Sequence, residues 1–161
     1  MNIQDIISSS IRGDQKSQRE LYEAFKVRWY MIALRYGKNK MQAEDILQEG
    51  LIAIFKNLHQ YDHKKAAFST WSTRVLINAG LRYLKKNSWT NTFKDIDDVY
   101  NLGDESETIY EQLSAKELTS LVQKLPTGYR LVFNMYAVEG YSHKEIAEHL
   151  DVSESSSRSM L

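Results

Sequence analysis

The sequence predicts an all-α protein of two helical domains joined by a flexible acidic linker. Three observations predict it. Apolar residues recur at helical spacing through most of the chain, and no run alternates in the manner of a strand. One segment, SWTNTFKDIDDVYNLGDESE, breaks that spacing and is too long and polar for a compact connection. Finally, the charges are segregated: His63 to Lys94 holds no Asp or Glu but carries Lys64, Lys65, Arg74, Arg82, Lys85, Lys86 and Lys94. The stretch Asp95 to Glu111 holds acids and no base. The net charge of zero conceals a basic surface beside an acidic one.

Each element follows from local pattern. From about Gln15 to Tyr36, Leu21, Phe25, Trp29 with Ile32, and Tyr36 trace one helical face, and GKNK ends the helix. Asn39 and Gln42 read as an N-cap pair opening a second helix that runs to about His59. YDHKKAA is a loop, and FSTWSTRVLINAGLRYLKKN a third long helix. The first domain is assigned to residues 1–90, the linker to 91–108 and the second domain to 109–161. Within the second, Leu118, Leu121, Val122 and Leu125 mark a helix stopped at Pro126. Another runs from about Gly128 to Glu139, with Val132, Phe133 and Tyr136 read as inward, and Gly140 closes it. Ser142 and Glu145 form a capping box that opens HKEIAEHL; a turn at Asp151-Val152-Ser153 leads into a last helix, SESSSRSML.

Some classes of function are excluded early. Without cysteine there is no disulfide framework and no thiolate site. No apolar stretch reaches membrane-spanning length and MNIQDIISSSIRGDQ is no secretory signal, so a cytoplasmic protein without membrane insertion is expected. His59 and His63 are four apart, but the loop at Tyr61 to Ala67 interrupts any shared helix. No H-E-x-x-H, phosphate loop or nucleophile elbow is present. Neither an enzyme, nor a metal, nor a cofactor is expected.

Three surfaces carry chemistry. The C-terminal pair of helices has helix-turn-helix spacing. Ile146, Ala147 and Leu150 line its inner side, and Ser155, Ser156, Arg158 and Ser159 are candidates for base edges and phosphates. The alternative is an ordinary helical hairpin. On the third long helix, Trp71, Arg74, Asn78, Arg82 and Lys85 fall in a stripe about 80° wide at 100° per residue. Ile77, Leu81 and Leu84 lie on another side. With Lys64 and Lys65 in the preceding loop, the stripe offers cations for phosphates, an aromatic for a base face and an amide for a base edge. The alternative is a solvated basic face. On the second helix, Ala43, Ile46, Leu47, Gly50, Leu51, Ile54 and Leu58 form the buried stripe. Asp45, Gln48, Ile52, Phe55 and His59 lie opposite, leaving Ile52 and Phe55 as an apolar pair on a face that should be wet. A protein partner, or a further helix of the same domain, would cover it.

In this order the three surfaces resemble the sigma-70 family of transcription initiation factors, specifically the small extracytoplasmic-function (ECF) type. AEDILQEGLIAIFKNL looks like the helix that docks on the polymerase β′ subunit. FSTWSTRVLINAGLRYLKK looks like the reader and melter of the −10 promoter element. KLPTGYRLVFNMYAVEGYSHKEIAEHLDVSESSSRSML looks like the domain that reads the −35 element. The resemblance implies core RNA polymerase, through its β′ and β subunits, and promoter DNA as partners, and an anti-sigma protein as regulator. It implies polymerase docking at Asp45, Gln48 and Phe55, capture of a flipped base at Asn78 with the loop Asp62 to Ala67, and groove contacts from Arg158 and Ser159. Three features depart from the family pattern. Asp151 stands for the usual turn glycine. Ser157 replaces a β-branched apolar residue, which should weaken packing of the recognition helix. The chain stops at Leu161 before the expected basic run, as expected either of a truncated chain or of a gene product that binds the −35 element weakly. The competing reading is a helix-turn-helix regulator that does not bind core polymerase.

Overall fold

The computed structural model describes residues 2–88 and 115–161, and all regular elements among them are helical. The linker reading at 91–108 and the start of the second domain at Ile109 lie outside the described residues.

The first domain contains α1 (Ile3–Ile11), α2 (Gln15–Tyr36), α3 (Lys40–Lys56) and α4 (Phe68–Ser88), with a 3-10 turn at Leu58–Gln60. Sequence periodicity did not reveal α1. The Asn2 side chain accepts from the backbone N–H groups of Gln4 and Asp5, and Ile7 is buried against the domain. Asp14 and Asn39 cap α2 and α3 in the same way. Because α2 packs on α1, α3 and α4, its apolar stripe is the centre of the core: Leu21, Trp29 and Ala33 are fully buried. Trp29 buries its indole while its Nε1 donates to Ser72 Oγ at 3.1 Å, pinning α2 to α4. Helices α3 and α4 approach closely because Gly50 faces Leu76 and Gly80 faces Ile46, with no Cβ between. Phe25, Trp29, Phe68, Tyr61 and Trp71 form a chain of ring contacts with centroids 5.0–6.4 Å apart across α2, the loop and α4.

The second domain contains α5 (Ala115–Lys124), α6 (Thr127–Phe133), α7 (His143–Leu150) and α8 (Glu154–Ser159). Residues Asn134–Val138 continue α6 as a π-helical turn. That wider turn corrects one expectation: Val132 is buried and Phe133 half-buried, but Tyr136 is rotated outward, 41% exposed and stacked on His143 at 4.4 Å. Gly140 follows with φ +77, the left-handed conformation that ends a helix. The buried cluster is continuous, running from Leu21, Trp29 and Tyr36 into Leu131, Val132, Met135, Ile146 and Leu150.

Candidate nucleic-acid interface

The helix-turn-helix is built by its caps. Ser142 accepts from the Glu145 N–H, and the Glu145 carboxylate accepts from the Ser142 N–H. These bonds hold the Glu145 carboxyl below its ordinary value of 4.5. Asp151 ends α7 at φ 59, ψ 45, the left-handed geometry the turn needs. Ser153 then caps α8 through the Ser156 N–H. Ser155, Ser156, Arg158 and Ser159 are all exposed. Arg158 pairs with Glu154 at 3.0 Å, and Ser156 bonds Ser153 at 2.9 Å. Ser157 is different from expectation. It is fully buried, and its Oγ lies 2.8 Å from His143 Nδ1, so its hydroxyl is partnered and joins α8 to α7.

On α4, Arg74, Arg82 and Lys85 are exposed, as are Lys64 and Lys65 in the loop. That loop is ordered by its own polar groups: Asp62 accepts from Lys64 N at 3.0 Å, and Tyr61 Oη donates to Ala66 O at 3.0 Å. Trp71 is half-buried, its ring 5.4 Å from Tyr61 and 5.8 Å from Phe68. Asn78 is half-buried too, and its Oδ1 is buried without a hydrogen-bond donor among the described residues. A buried acceptor left unpaired costs free energy until something donates to it.

On α3, Gln48 is exposed and Ile52 is 57% exposed; no other helix among the described residues covers them. Phe55 is corrected here: it is half-buried and packed against the core. At 100° per residue it lies only about 40° from Leu51 and about 60° from Leu58, at the edge of the inward stripe. Asp45 is half-buried, and its Oδ2 accepts from Tyr83 Oη at 2.9 Å. That bond to a carboxylate pushes the Tyr83 phenol above its ordinary value. Tyr83 escaped the sequence reading because it lies one helix away from the residue it orients. An open groove between α3 and the end of α4 is lined by Ile52, Lys56, Arg82, Tyr83, Lys86 and Asn87, so the two surfaces adjoin.

A helical bundle with an exposed α3 face and a basic α4, followed by a helix-turn-helix, is the arrangement of a promoter-reading factor, and the family models agree. Residues 21–90 match sigma-70 region 2 and residues 115–161 match sigma-70 region 4. The chain belongs to the sigma-70 family, as an ECF RNA polymerase sigma factor acting in transcription initiation. It is 30% identical over 145 residues to ECF RNA polymerase sigma factor SigM of Bacillus subtilis, covering 88% of this chain and 86% of that one. It is 28% identical over 167 residues to SigW of the same organism, covering 94% and 87%. Among solved structures, one titled "Structure of CnrH in complex with the cytosolic domain of CnrY" aligns with TM-score 0.47 and 20% identity over 97% of this chain and 87% of that one. A match to region 2 leaves the polymerase-independent regulator without support. No helix among the described residues is long and apolar enough to cross a membrane.

Proposed function

We propose a division of labour among the three surfaces. The α3 face of Asp45, Gln48, Ile52 and Phe55 docks on the polymerase β′ subunit. The α4 stripe, with Lys64 and Lys65, holds the −10 element and takes an unstacked base at Asn78. The α8 residues Ser155, Ser156, Arg158 and Ser159 meet the −35 duplex while region 4 rests on the β subunit. The observation that carries this reading is Asn78: a buried, unpaired amide oxygen on an otherwise exposed cationic stripe suits a base amino group. Trp71, about two turns before it on α4, offers a ring to a neighbouring base, and Arg74, Arg82 and Lys85 suit the flanking phosphates. Extruding a base costs a few kcal/mol, which capture at Asn78 would offset.

The factor performs no catalytic step of its own in this reading; the polymerase does the chemistry. It works in the cytoplasm, and an anti-sigma protein regulates it by covering the exposed Ile52 face or the α4 stripe. Residues 1–90 act as the polymerase-binding and −10 domain and 109–161 as the −35 domain.

Capture by core polymerase and run-off transcription test the division together. Ile52→Asp should abolish capture while leaving the fold intact, because Ile52 is exposed. Asn78→Ala should keep capture and lose promoter opening, read by permanganate reactivity of unpaired thymines. Equal opening by Asn78→Ala and the unaltered chain would refute the base-capture role.

A further inference from the structure

Helix α8 has one buried anchor. Within Glu154–Ser159 only Ser157 is buried, and it is fully buried. The other side-chain bonds of the helix stay local: Ser153 with Ser156, Arg158 with Glu154, and Ser159 Oγ with Ser156 O. Among the described residues, the side-chain bond that ties α8 to α7 is the one between Ser157 Oγ and His143 Nδ1, at 2.8 Å. A serine buries little apolar surface, so packing at this position holds α8 only weakly against rotation about its own axis. A hydrogen bond is directional and supplies what packing leaves free.

The imidazole is itself held in place. The Tyr136 ring stacks on it with planes 19° apart. Tyr136 stands on the π-helical turn Asn134–Val138, a feature that recurs at functional sites, and the wide turn is what carries the ring outward onto His143. That turn is fixed from beneath. Asn134 is fully buried, its Nδ2 donating to Arg35 O at 2.7 Å and to Arg130 O at 2.8 Å, and Met135 O accepts from the Tyr141 N–H at 2.8 Å. The bond to Ser157 also orients the protons. A hydroxyl donates or accepts, whereas a neutral imidazole has one donor and one acceptor nitrogen. Were Nδ1–H the donor, the buried Ser157 proton would have no acceptor among the described residues, which burial penalises. Donation from Ser157 Oγ to Nδ1 satisfies both groups and places the imidazole's own proton on Nε2.

We propose that Tyr136, His143 and Ser157 form a positioning relay that sets the rotation of α8 in the groove of the −35 duplex. The inference rests on reading α8 as the −35 reader. Side chains on a helix reach about 5–6 Å from its axis. A rotation of about 20° therefore moves their tips by about 2 Å, well beyond the window of about 0.5 Å in which a hydrogen bond to a base edge holds. Arg158 and Ser159 follow Ser157 directly in the helix and inherit its placement. The three relay residues act through those neighbours and need touch no base themselves.

Substitutions separate the bond from the packing. Ser157→Thr and Ser157→Val share an added methyl and differ in the hydroxyl, while Ser157→Ala removes the hydroxyl and adds nothing. His143→Phe keeps a ring on Tyr136 and removes the acceptor. With core polymerase, each chain transcribes a template library randomised over the −35 positions of a promoter that the unaltered chain uses. Ser157→Ala, Ser157→Val and His143→Phe should each lose about fivefold or more of the discrimination among −35 sequences, the worth of one good groove contact, with capture by core polymerase unchanged. Ser157→Thr should retain discrimination that Ser157→Val loses. Ser157→Ala combined with His143→Phe should lose no more than either alone, because both break one bond. Nitrogen NMR at about pH 8, where free imidazole is neutral, gives a readout independent of DNA. The His143 signal, picked out from four histidines by its loss in His143→Phe, should show Nδ1 as an unprotonated acceptor. That signal should shift in Ser157→Ala and be kept in Ser157→Thr. Full discrimination by Ser157→Ala, additive losses in the double variant, or a proton on Nδ1 overturns the relay. Should Ser157→Val fail to fold in thermal unfolding, Ser157→Ala and His143→Phe decide the matter. An unaltered chain with no preference at −35 removes the α8 assignment and the positioning role with it, whereas a chain that discriminates equally with and without the hydroxyl removes the relay alone.

Discussion

At the scale of single residues, the proposed docking face depends on partners that hydrophobic patterning does not show. Tyr83 fixes the Asp45 carboxylate from the neighbouring helix at 2.9 Å. Removing only that hydroxyl, in Tyr83→Phe, leaves ring packing intact and frees the carboxylate to rotate. A hydrogen bond to a charged group is worth about 1.5–3 kcal/mol when shielded, and less at a half-exposed site. Polymerase affinity should therefore fall about threefold to tenfold while folding stability falls by no more than about 1 kcal/mol, measured by titration of core enzyme and by calorimetry. Unchanged affinity would mean that Asp45 needs no orientation. Phe55 shows the opposite case. Spacing alone put it beside Ile52 on the wet face, whereas it sits at the margin of the core. Phe55→Ala should thus lower stability by about 1–3 kcal/mol as well as weaken docking, a mixture that chemical denaturation resolves. The difference between these neighbours is a rotation of about 60°, which no residue identity encodes.

Elements were legible where caps and apolar stripes agreed. Asn39 before α3 and Ser142 with Glu145 before α7 are N-terminus signals, and each makes the bond its position calls for. The Glu145 carboxylate must be ionised to accept fully from Ser142. Its pKa is depressed in the folded chain, so its contribution is present above about pH 4.5 and fades as pH falls through the lower folded value. Glu145→Gln should flatten the acid limb of region 4 stability, followed by thermal unfolding between about pH 3 and 6. Asp151 holds the left-handed turn at φ 59. Asp151→Ala should cost about 1 kcal/mol, whereas Asp151→Gly should cost nothing, and denaturant midpoints separate the two. Other elements were not legible, for physical reasons. Helix α1 is too short for its periodicity to stand out, although Asn2 is a readable cap. The π-helical turn inserts one extra residue per turn, which carried Tyr136 from an inward assignment to an exposed one. Ser157 looked like a packing defect because its partner, His143, lies on the preceding helix.

At the scale of the whole molecule, the fold class and the order of surfaces were readable, but the way the two domains meet was not. Arg130 and Asn134 satisfy backbone carbonyls 94 and 99 residues away, and periodicity carries no signal for a carbonyl. Charge is likewise misleading in the sum: 21 bases against 21 acids conceal a stripe of cations on α4. The balance predicts that the free chain binds DNA weakly, while the stripe predicts steep salt dependence once polymerase has presented it. Each phosphate neutralised contributes about 0.9 to the slope of log affinity against log salt. Replacing both Arg82 and Lys85 by Ala should therefore reduce the slope of promoter binding by the polymerase complex by about 1.8, and do so alike on promoters of different −10 sequence. Asn78→Ala should instead leave the slope unchanged and reduce discrimination among −10 sequences, because a neutral amide releases no counterion. Filter binding of the assembled complex across about 50–300 mM salt distinguishes them. A double variant whose slope matches that of the unaltered chain would show that α4 does not lie along the phosphates, and a slope change with Asn78→Ala would show that its effect is structural rather than a base contact.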